Sequence, residues 1–170
     1  LPNTMTIYRR RSGLLVATLG AVLLAVSVFL PWYGVAFTQF GAQEAAHAGQ
    51  EVIERFGNPS LSASGARLPA EAAQLAGREV GAVNAHDVLK NISVILLILA
   101  GLALLDALIP LARGAPLPDG AGGALVLAGL LAAILVAFRI AVPPGVAGDY
   151  LSLSPREGAW LSLLGALAII

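Results

Sequence analysis

The chain has 170 residues, of which 58% are hydrophobic and only 12% are charged, and its mean hydropathy is +0.84. A soluble domain carries charge on roughly a quarter of its residues, so the composition excludes an ordinary hydrated surface and indicates that most of the surface faces lipid. The formal net charge is zero, which gives no electrostatic basis for binding nucleic acid. The sequence contains no Cys, which excludes disulfides and thiolate chemistry.

The first predicted transmembrane segment covers residues 13–33 and follows the basic cluster Arg9–Arg11. The next charged residue after that cluster is Glu44. An apolar run of about 20 residues matches the roughly 30 Å hydrocarbon core of a bilayer. Trp32 and Tyr33 close the run, as expected for an aromatic belt at the membrane surface. Because basic residues favour the cytoplasmic side, we expect a cytoplasmic N-terminus.

The second informative region is the loop 34–90, which this orientation places outside the cell. Ala42–Phe56 has a helix-forming composition, and Pro69–Ala76 begins with Pro and an early Glu and ends before Gly77. Between them, Asn58–Arg67 is rich in Ser, Gly and Pro and is predicted to be turn or coil. The loop is therefore predicted to carry two short amphipathic helices. The apolar face of the first is predicted to consist of Ala45, Ala48, Val52 and Phe56.

Three further apolar runs complete a four-helix pattern. The predicted segments are a second span at 91–111 that Pro110 ends, a cytoplasmic loop at 112–121, a third span at 122–142, an external loop at 143–154 and a fourth span at 155–170. At about 1.5 Å per residue the fourth span is about 24 Å long, shorter than the bilayer core, so we expect the helix to continue beyond Ile170. The fold class is therefore an all-α integral membrane protein, a four-transmembrane-helix bundle with a large first extracellular loop.

Helix-capping patterns support two of these starts. Ser154 and Glu157 have the spacing of a capping box, with Pro155 at the first helical position. Asn84 and Asp87 have the same spacing, which predicts that a helix begins there, before the chain enters the membrane after Lys90.

Small residues recur every fourth position in three of the spans. Such stripes let membrane helices approach closely, either inside one bundle or against another subunit. Internal packing is the preferred interpretation, partner docking is the second, and a chain rich in Ala and Gly also produces some stripes by chance. The candidate interaction residues are Gly13, Ala17, Ala21 and Ala25 in the first span and Gly129, Ala133 and Ala137 in the third, with Gly158, Ser162 and Ala166 as a similar set in the fourth.

Asp106 and Arg139 are the predicted intramembrane charges. A central charge costs at least about 2.5–3.5 kcal/mol on insertion scales, so each needs a partner or a route to the surface. Their predicted depths differ by over 10 Å, which argues against a mutual ion pair. We expect Asp106 to meet Arg113 or the Arg9–Arg11 cluster. Arg139 is expected to meet Glu157, Asp149 or lipid headgroups, and the alternative is an ion or proton path through Asp106.

The chain offers no clear site for chemistry. Glu44, His47, Glu51 and Glu54 share one helical face, which could hold a cation but is better explained as a solvated stripe. No Ser–His pair lies in a span, and no phosphate-binding Gly loop or HExxH motif occurs. We therefore predict no catalytic residue, no metal site and no cofactor.

Three sequence features carry a resemblance. They are Leu-Pro-Trp-Tyr-Gly at Leu30–Gly34 after the basic start, the Phe-Arg-Ile and Pro-Pro elements of Phe138–Pro144, and Arg-Glu-Gly-Ala-Trp-Leu at Arg156–Leu161. The chain resembles uncharacterised four-helix membrane proteins of actinobacteria, a group without a known function. The resemblance covers most of the spans but not the large loop. The loop order also resembles that of claudins, although the paired loop cysteines of claudins are absent here.

These patterns predict a non-enzymatic accessory, assembly or structural subunit in a bacterial plasma membrane. Its partners would be membrane lipids and other membrane subunits, or further copies of itself, through helix–helix and external-loop contacts. The alternative is an oligomeric ion channel or small transporter, which would require Asp106 or Arg139 to face water.

Overall fold

The computed structural model describes residues 4–56, 67–113, 121–145 and 148–170, and the side chains of residues 12–55, 67–112, 122–145 and 149–170. The described elements are α1 (Thr4–Ser27), β1 (Pro31–Phe37), α2 (Gln39–Phe56), α3 (Leu68–Leu75), β2 (Glu79–Asn84), α4 (Ala85–Val88), α5 (Lys90–Arg113), α6 (Ala121–Ala141), a 3-10 turn (Gly148–Tyr150), β3 (Leu151–Pro155) and α7 (Glu157–Ile169). The chain divides into two compact units. Unit 1 comprises Leu1–Tyr33, Val83–Pro143 and Pro155–Ile170, and unit 2 comprises Gly34–Ala82 and Pro144–Ser154.

Unit 1 contains four long helices that pack together, and the short helix α4, which contacts α5. Helix α1 contacts α5 and α7, and α6 also contacts α5 and α7, so the four long helices form a ring. The seven residues between α5 and α6 cannot span the length of a 24-residue helix, about 36 Å, so these two helices run antiparallel. The α1–α7 pair is also antiparallel, because Gly20 lies against Ala168 while Ser27 lies against Ser162.

Two helices of the described chain are long and apolar enough to cross a membrane. These stretches are Lys90–Ala112 and Gly122–Ala141. Ser12–Ser27 and Glu157–Ile169 are also apolar but shorter. The protein is therefore mostly helical, with two candidate membrane-spanning helices and a small sheet.

The helices of unit 1 place small side chains inside and large ones outside. Ala21, Ala103, Ala132 and Ala166 are almost completely buried at the helix contacts. Most of the large aliphatic side chains face away from the ring, and the most exposed of them, Leu19, is 69% accessible. Others of this outer set are Val26, Ile98, Leu105, Leu127, Ile134, Leu164 and Leu167. A few large side chains, such as Leu24, Leu96 and Val136, are fully buried, whereas in a water-soluble helical domain most Leu and Ile side chains fill the core.

The expectation of an all-α fold is wrong, because three strands form a sheet in the order β2–β1–β3. Helix α1 ends at Ser27, earlier than the predicted end at residue 33, and Pro31–Phe37 is extended. Pro at the start and the aromatic residues that follow favour a strand over a helix there. Leu151–Pro155 alternates Leu and Ser, a pattern typical of a strand.

The capping predictions have opposite outcomes. Asn84 is the N-cap of α4, and its side-chain oxygen accepts a hydrogen bond from the Asp87 N–H at 2.9 Å, which confirms that a helix starts there. It is not the second span that starts there, since α4 ends at Val88 and α5 begins separately at Lys90. The capping box at Ser154 is wrong. Residues Ser154 and Pro155 belong to β3, and Arg156 takes the N-cap position of α7 without a side-chain capping bond. Pairing between the strands replaces the predicted capping box, since the Arg156 N–H donates to the Trp32 carbonyl at 2.7 Å.

Pro110 does not end the second span. Helix α5 continues through it to Arg113, with Pro110 inside and buried. Because Pro has no N–H, the carbonyl of Asp106 loses its usual partner one turn earlier. Membrane helices tolerate such a Pro when neighbouring groups satisfy the freed carbonyl.

Unit 2 contains α2 and α3, which confirms the two short helices predicted in the loop. They pack through Ala42, Ala46 and Ala72, with Phe37, Leu68 and Ala76 partly buried around them. The predicted apolar face of α2 is wrong: Ala45, Ala48 and Val52 are exposed. Residues 57–66, which include most of the predicted turn, lie outside the described part, as does most of the predicted cytoplasmic loop.

Candidate functional site

The candidate site is a buried polar junction at one end of unit 1, where α1, α6 and α7 meet. Its centre is a 2.6 Å hydrogen bond between the hydroxyls of Ser27 and Ser162, both of which are fully buried. The Ser27 hydroxyl also bonds the Leu24 carbonyl at 2.8 Å. Since a hydroxyl has one hydrogen, Ser27 donates to Leu24 and accepts from Ser162. The pair joins α1 to α7 without leaving a polar atom of these two side chains unpaired.

Trp32 completes the junction from the strand that follows α1. Its indole N–H donates to the Ser27 carbonyl at 2.8 Å, and its side chain is fully buried. The same carbonyl also accepts from the Leu30 N–H at 3.2 Å, so the indole provides its second hydrogen bond at the end of α1. Trp32 and Tyr33, which were predicted to lie in an aromatic belt at the membrane surface, are each 0% accessible, so they pack inside the protein instead of presenting their rings to lipid. Trp160, by contrast, is half exposed.

Tyr33 connects the junction to α6. Its hydroxyl donates to the backbone carbonyl of Arg139 at 2.9 Å, in the last turn of that helix. The Arg139 guanidinium lies beside the Phe138 ring, with 5.7 Å from its carbon to the ring centroid. Its Nε atom is buried and has no hydrogen-bond partner among the described residues.

Glycines allow α1 and α7 to approach backbone to backbone near the junction. A Cβ on Gly165 would lie 2.7 Å from the Leu24 nitrogen, and one on Gly20 would lie 2.7 Å from the Gly165 carbonyl oxygen. A Cβ on Gly158 would lie 2.6 Å from the Pro31 carbonyl oxygen. A larger residue at any of these positions would push the two neighbouring backbone segments apart. The interface therefore depends on Gly as well as on the serine pair.

The structure separates the predicted small-residue stripes into buried and exposed members. Of the first stripe, Ala17 and Ala21 are buried, Ala25 is half-buried and Gly13 is exposed. In the third span, Gly129 and Ala133 are buried and Ala137 is exposed. The set in α7, Gly158, Ser162 and Ala166, is buried throughout.

The two predicted intramembrane charges lie in different surroundings. Arg139 belongs to the junction, whereas Asp106 is half-buried in α5, about 24 Å along the helix from its start at Lys90. The side chains of Arg113 and Arg9–Arg11, the expected partners of Asp106, lie outside the described part. Arg156, not Arg139, pairs with Glu157, at 3.5 Å.

The polar stripe of α2 is exposed at Glu44, His47, Glu51 and Glu54. Among the described residues, no three His, Asp or Glu side chains are grouped closely enough to hold a metal ion. The stripe has the exposure of a solvated helix face.

Comparisons of the chain with protein-family models, with curated proteins and with solved structures gave no match in any of the three. The junction and the surfaces around it are therefore the features that bear on function.

Sequence reasoning missed Gly20, Gly165 and the Ser27–Ser162 pair. A strict four-residue repeat led to Ala166 and passed over its neighbour Gly165. Small residues at a mixed spacing of three and four, such as Gly158, Ser162 and Gly165, would have indicated the contacting face.

Proposed function

We propose that this chain is a multi-pass membrane protein of the plasma membrane that acts as a non-enzymatic accessory or assembly subunit. The observation that carries the proposal is the reversed distribution of side-chain size in unit 1. Most Leu, Ile and Val side chains cover the outside of the helices, and Ala, Gly and Ser fill much of the contacts between them, together with a few large residues such as Leu24 and Leu96. An exposed aliphatic surface of this extent would drive aggregation in water, whereas a lipid bilayer solvates it.

Four crossings fit this surface better than two. The outer faces of α1 and α7 carry exposed Leu in the same way as those of α5 and α6. Because α1 packs against α5 and α7 packs against α6, the four elements would enter the membrane as one bundle. The Arg9–Arg11 cluster would then keep the N-terminus in the cytoplasm.

An accessory role follows from how the described polar groups are used. The hydroxyls of Thr18 and Ser93 bond carbonyls of their own helices, and Ser27 and Ser162 bond each other. The serine pair joins α1 to α7, and the other two hydroxyls are bonded within their own helices. The apolar outside of unit 1 and the exposed face of α2 are available to other molecules, so the activity would consist of contacts with membrane subunits or with further copies of the chain.

The channel or transporter alternative stays a prediction without a supporting contact. It would require a line of polar groups beside Asp106, and the described hydroxyls of unit 1 are already bonded within the bundle.

Affinity purification of the tagged chain from its own membranes in mild detergent tests the proposal. We expect the chain to resist alkaline carbonate extraction, and native mass spectrometry to show it bound to other membrane proteins or to itself. A carbonate-soluble chain would contradict membrane insertion. A stable monomer that retains only lipid would contradict the accessory role. Unchanged ion flux in liposomes that carry wild type or Asp106→Asn would count against the channel.

A further inference from the structure

The guanidinium of Arg139 lacks an anionic partner in the described part of unit 1. Its Nε is buried without an acceptor, although the residue as a whole is only partly buried. Arginine keeps its charge at any physiological pH and offers a planar fork of N–H donors. Because no described carboxylate pairs with the Arg139 guanidinium, its positive charge requires oxygen acceptors from outside the described residues.

The described acidic groups of unit 1 do not supply those acceptors. They are Asp87, Asp106 and Glu157. No ion pair joins any of them to Arg139 in the described residues, and Glu157 lies against Arg156 instead. The Tyr33 hydroxyl, which donates to the backbone carbonyl of Arg139, is a neutral group and not an anionic partner.

Exposed aromatic side chains surround this end of unit 1. Phe29 follows α1, Phe138 precedes Arg139 in α6, and Trp160 lies in the first turn of α7, and each is about half exposed. Aromatic side chains concentrate where acyl chains meet headgroups. If unit 1 is inserted in a bilayer, Arg139 lies at the depth of the lipid phosphates.

We propose that Arg139 binds the phosphodiester of a membrane lipid, with Phe138 and Val142 against the upper part of the acyl chains. This inference rests on the membrane insertion of the proposed function. A phosphate offers the oxygens that a guanidinium binds in a two-point, charge-assisted contact. Phe138 and Val142 are both exposed and apolar, which favours a lipid over a free hydrated anion.

Native mass spectrometry of the purified chain tests the site, with phosphatidylglycerol, diacylglycerol and inorganic phosphate as separate probes. We expect wild type to bind phosphatidylglycerol, and Arg139→Gln to bind it about tenfold more weakly, because a charge-assisted contact is lost. Arg156→Gln is the matched control, since that arginine already has a carboxylate beside it. Equal affinity of Arg139→Gln and wild type would overturn the site, as would equal binding of diacylglycerol, or binding of inorganic phosphate alone.

An NMR measurement tests the lipid site if Arg139→Gln does not fold. In liposomes of labelled protein, the ¹⁵N arginine signal that disappears in Arg139→Lys belongs to Arg139, and lipid ³¹P should dephase this signal in wild type. An Arg139 signal that lipid ³¹P does not dephase would overturn the site. Carbonate extraction separates the two proposals. Release of the wild type would overturn both, whereas a retained wild type with an unchanged Arg139→Gln affinity would overturn the lipid site alone.

Discussion

Ser27 and Ser162 share a 2.6 Å hydrogen bond between two fully buried side chains, one on α1 and one on α7. We predict that Ser27→Ala and Ser162→Ala are coupled by about 0.6 kcal/mol, and by no more than about 1.7 kcal/mol, the range found for interhelical hydrogen bonds in membranes. A double-mutant cycle from unfolding in mixed micelles measures this coupling. Thr18→Val is the control, since Thr18 bonds Leu14 of its own helix and its effect should add to that of Ser162→Ala. Additive serine variants would show that the bond contributes nothing across the interface.

Gly165 marks the closest approach of α1 and α7, and its replacement should separate the two helices. A Cβ there would meet the backbone nitrogen of Leu24, which cannot move as a side chain could. We expect Gly165→Ala to lower the free energy of unfolding by about 1–3 kcal/mol, the usual cost of overpacking. Gly101→Ala is the matched control in α5, because nothing lies within 4 Å of its Cβ position.

The control should have the opposite sign. Gly101→Ala removes backbone freedom without a clash, so it should be neutral or stabilise the protein by up to about 1 kcal/mol. Thermal unfolding in the same detergent gives both values. A loss of similar size in the two variants would mean that helix propensity, and not the α1–α7 contact, decides the effect of Gly165.

The elements that could be predicted from the sequence are those whose pattern extends over many residues. The apolar run of α5 and the helices α2 and α3 are long enough for composition to decide, and the Asn84 cap has a local signature. The strands could not be predicted in this way. Residues 31–37 continue an apolar run in which the strand preference of the aromatic residues is a weak local signal, and long-range pairing, such as the Arg156–Trp32 bond, is what makes them extended.

The candidate site was harder to predict than the fold. Ser27 and Ser162 are 135 positions apart in sequence, and a lone Ser in an apolar helix gives no sign of its partner. Arg139 was recognisable as a buried charge, because charge in an apolar run is rare. Its contact with Tyr33 depends on the strand that follows α1, which periodicity did not indicate.

The two tryptophans should report opposite environments. Trp32 is fully buried and bonded to the Ser27 carbonyl, whereas Trp160 is half exposed. We expect the fluorescence of Trp160→Phe, which retains only Trp32, to resist quenching by bromine-labelled lipid, and that of Trp32→Phe to be quenched strongly. Trp32→Phe should also lose about 1 kcal/mol of stability, because the Ser27 carbonyl loses one of its two hydrogen bonds and keeps only that from the Leu30 N–H. Equal quenching of the two variants would contradict the burial of Trp32 within the bundle.

The topology proposed for the chain can be tested with single cysteines, since the wild type has none. Glu51 is exposed on α2, in the predicted external loop, and Ala112 is exposed near the far end of α5. We expect a membrane-impermeant maleimide to label Glu51→Cys in intact cells, and Ala112→Cys only after permeabilisation. The reverse pattern would invert the orientation, and labelling of both in intact cells would contradict the crossing by α5.

Ala45 and Ala46 are adjacent in α2 and differ in exposure, which makes them a matched pair for testing the packing of unit 2. Ala46 is 6% accessible, in the cluster with Ala42 and Ala72, while Ala45 is exposed. We predict that Ala46→Glu costs about 2 kcal/mol or more, since it forces a charged side chain into a close contact between α2 and α3. Hydrogen exchange of the amides in both helices should then become faster. Ala45→Glu has the same change in helix propensity and charge, so its amides should exchange as in wild type. If Ala45→Glu were the more damaging variant, the face of Ala45, Ala48 and Val52 would be the packed one, as the periodicity of the sequence predicts.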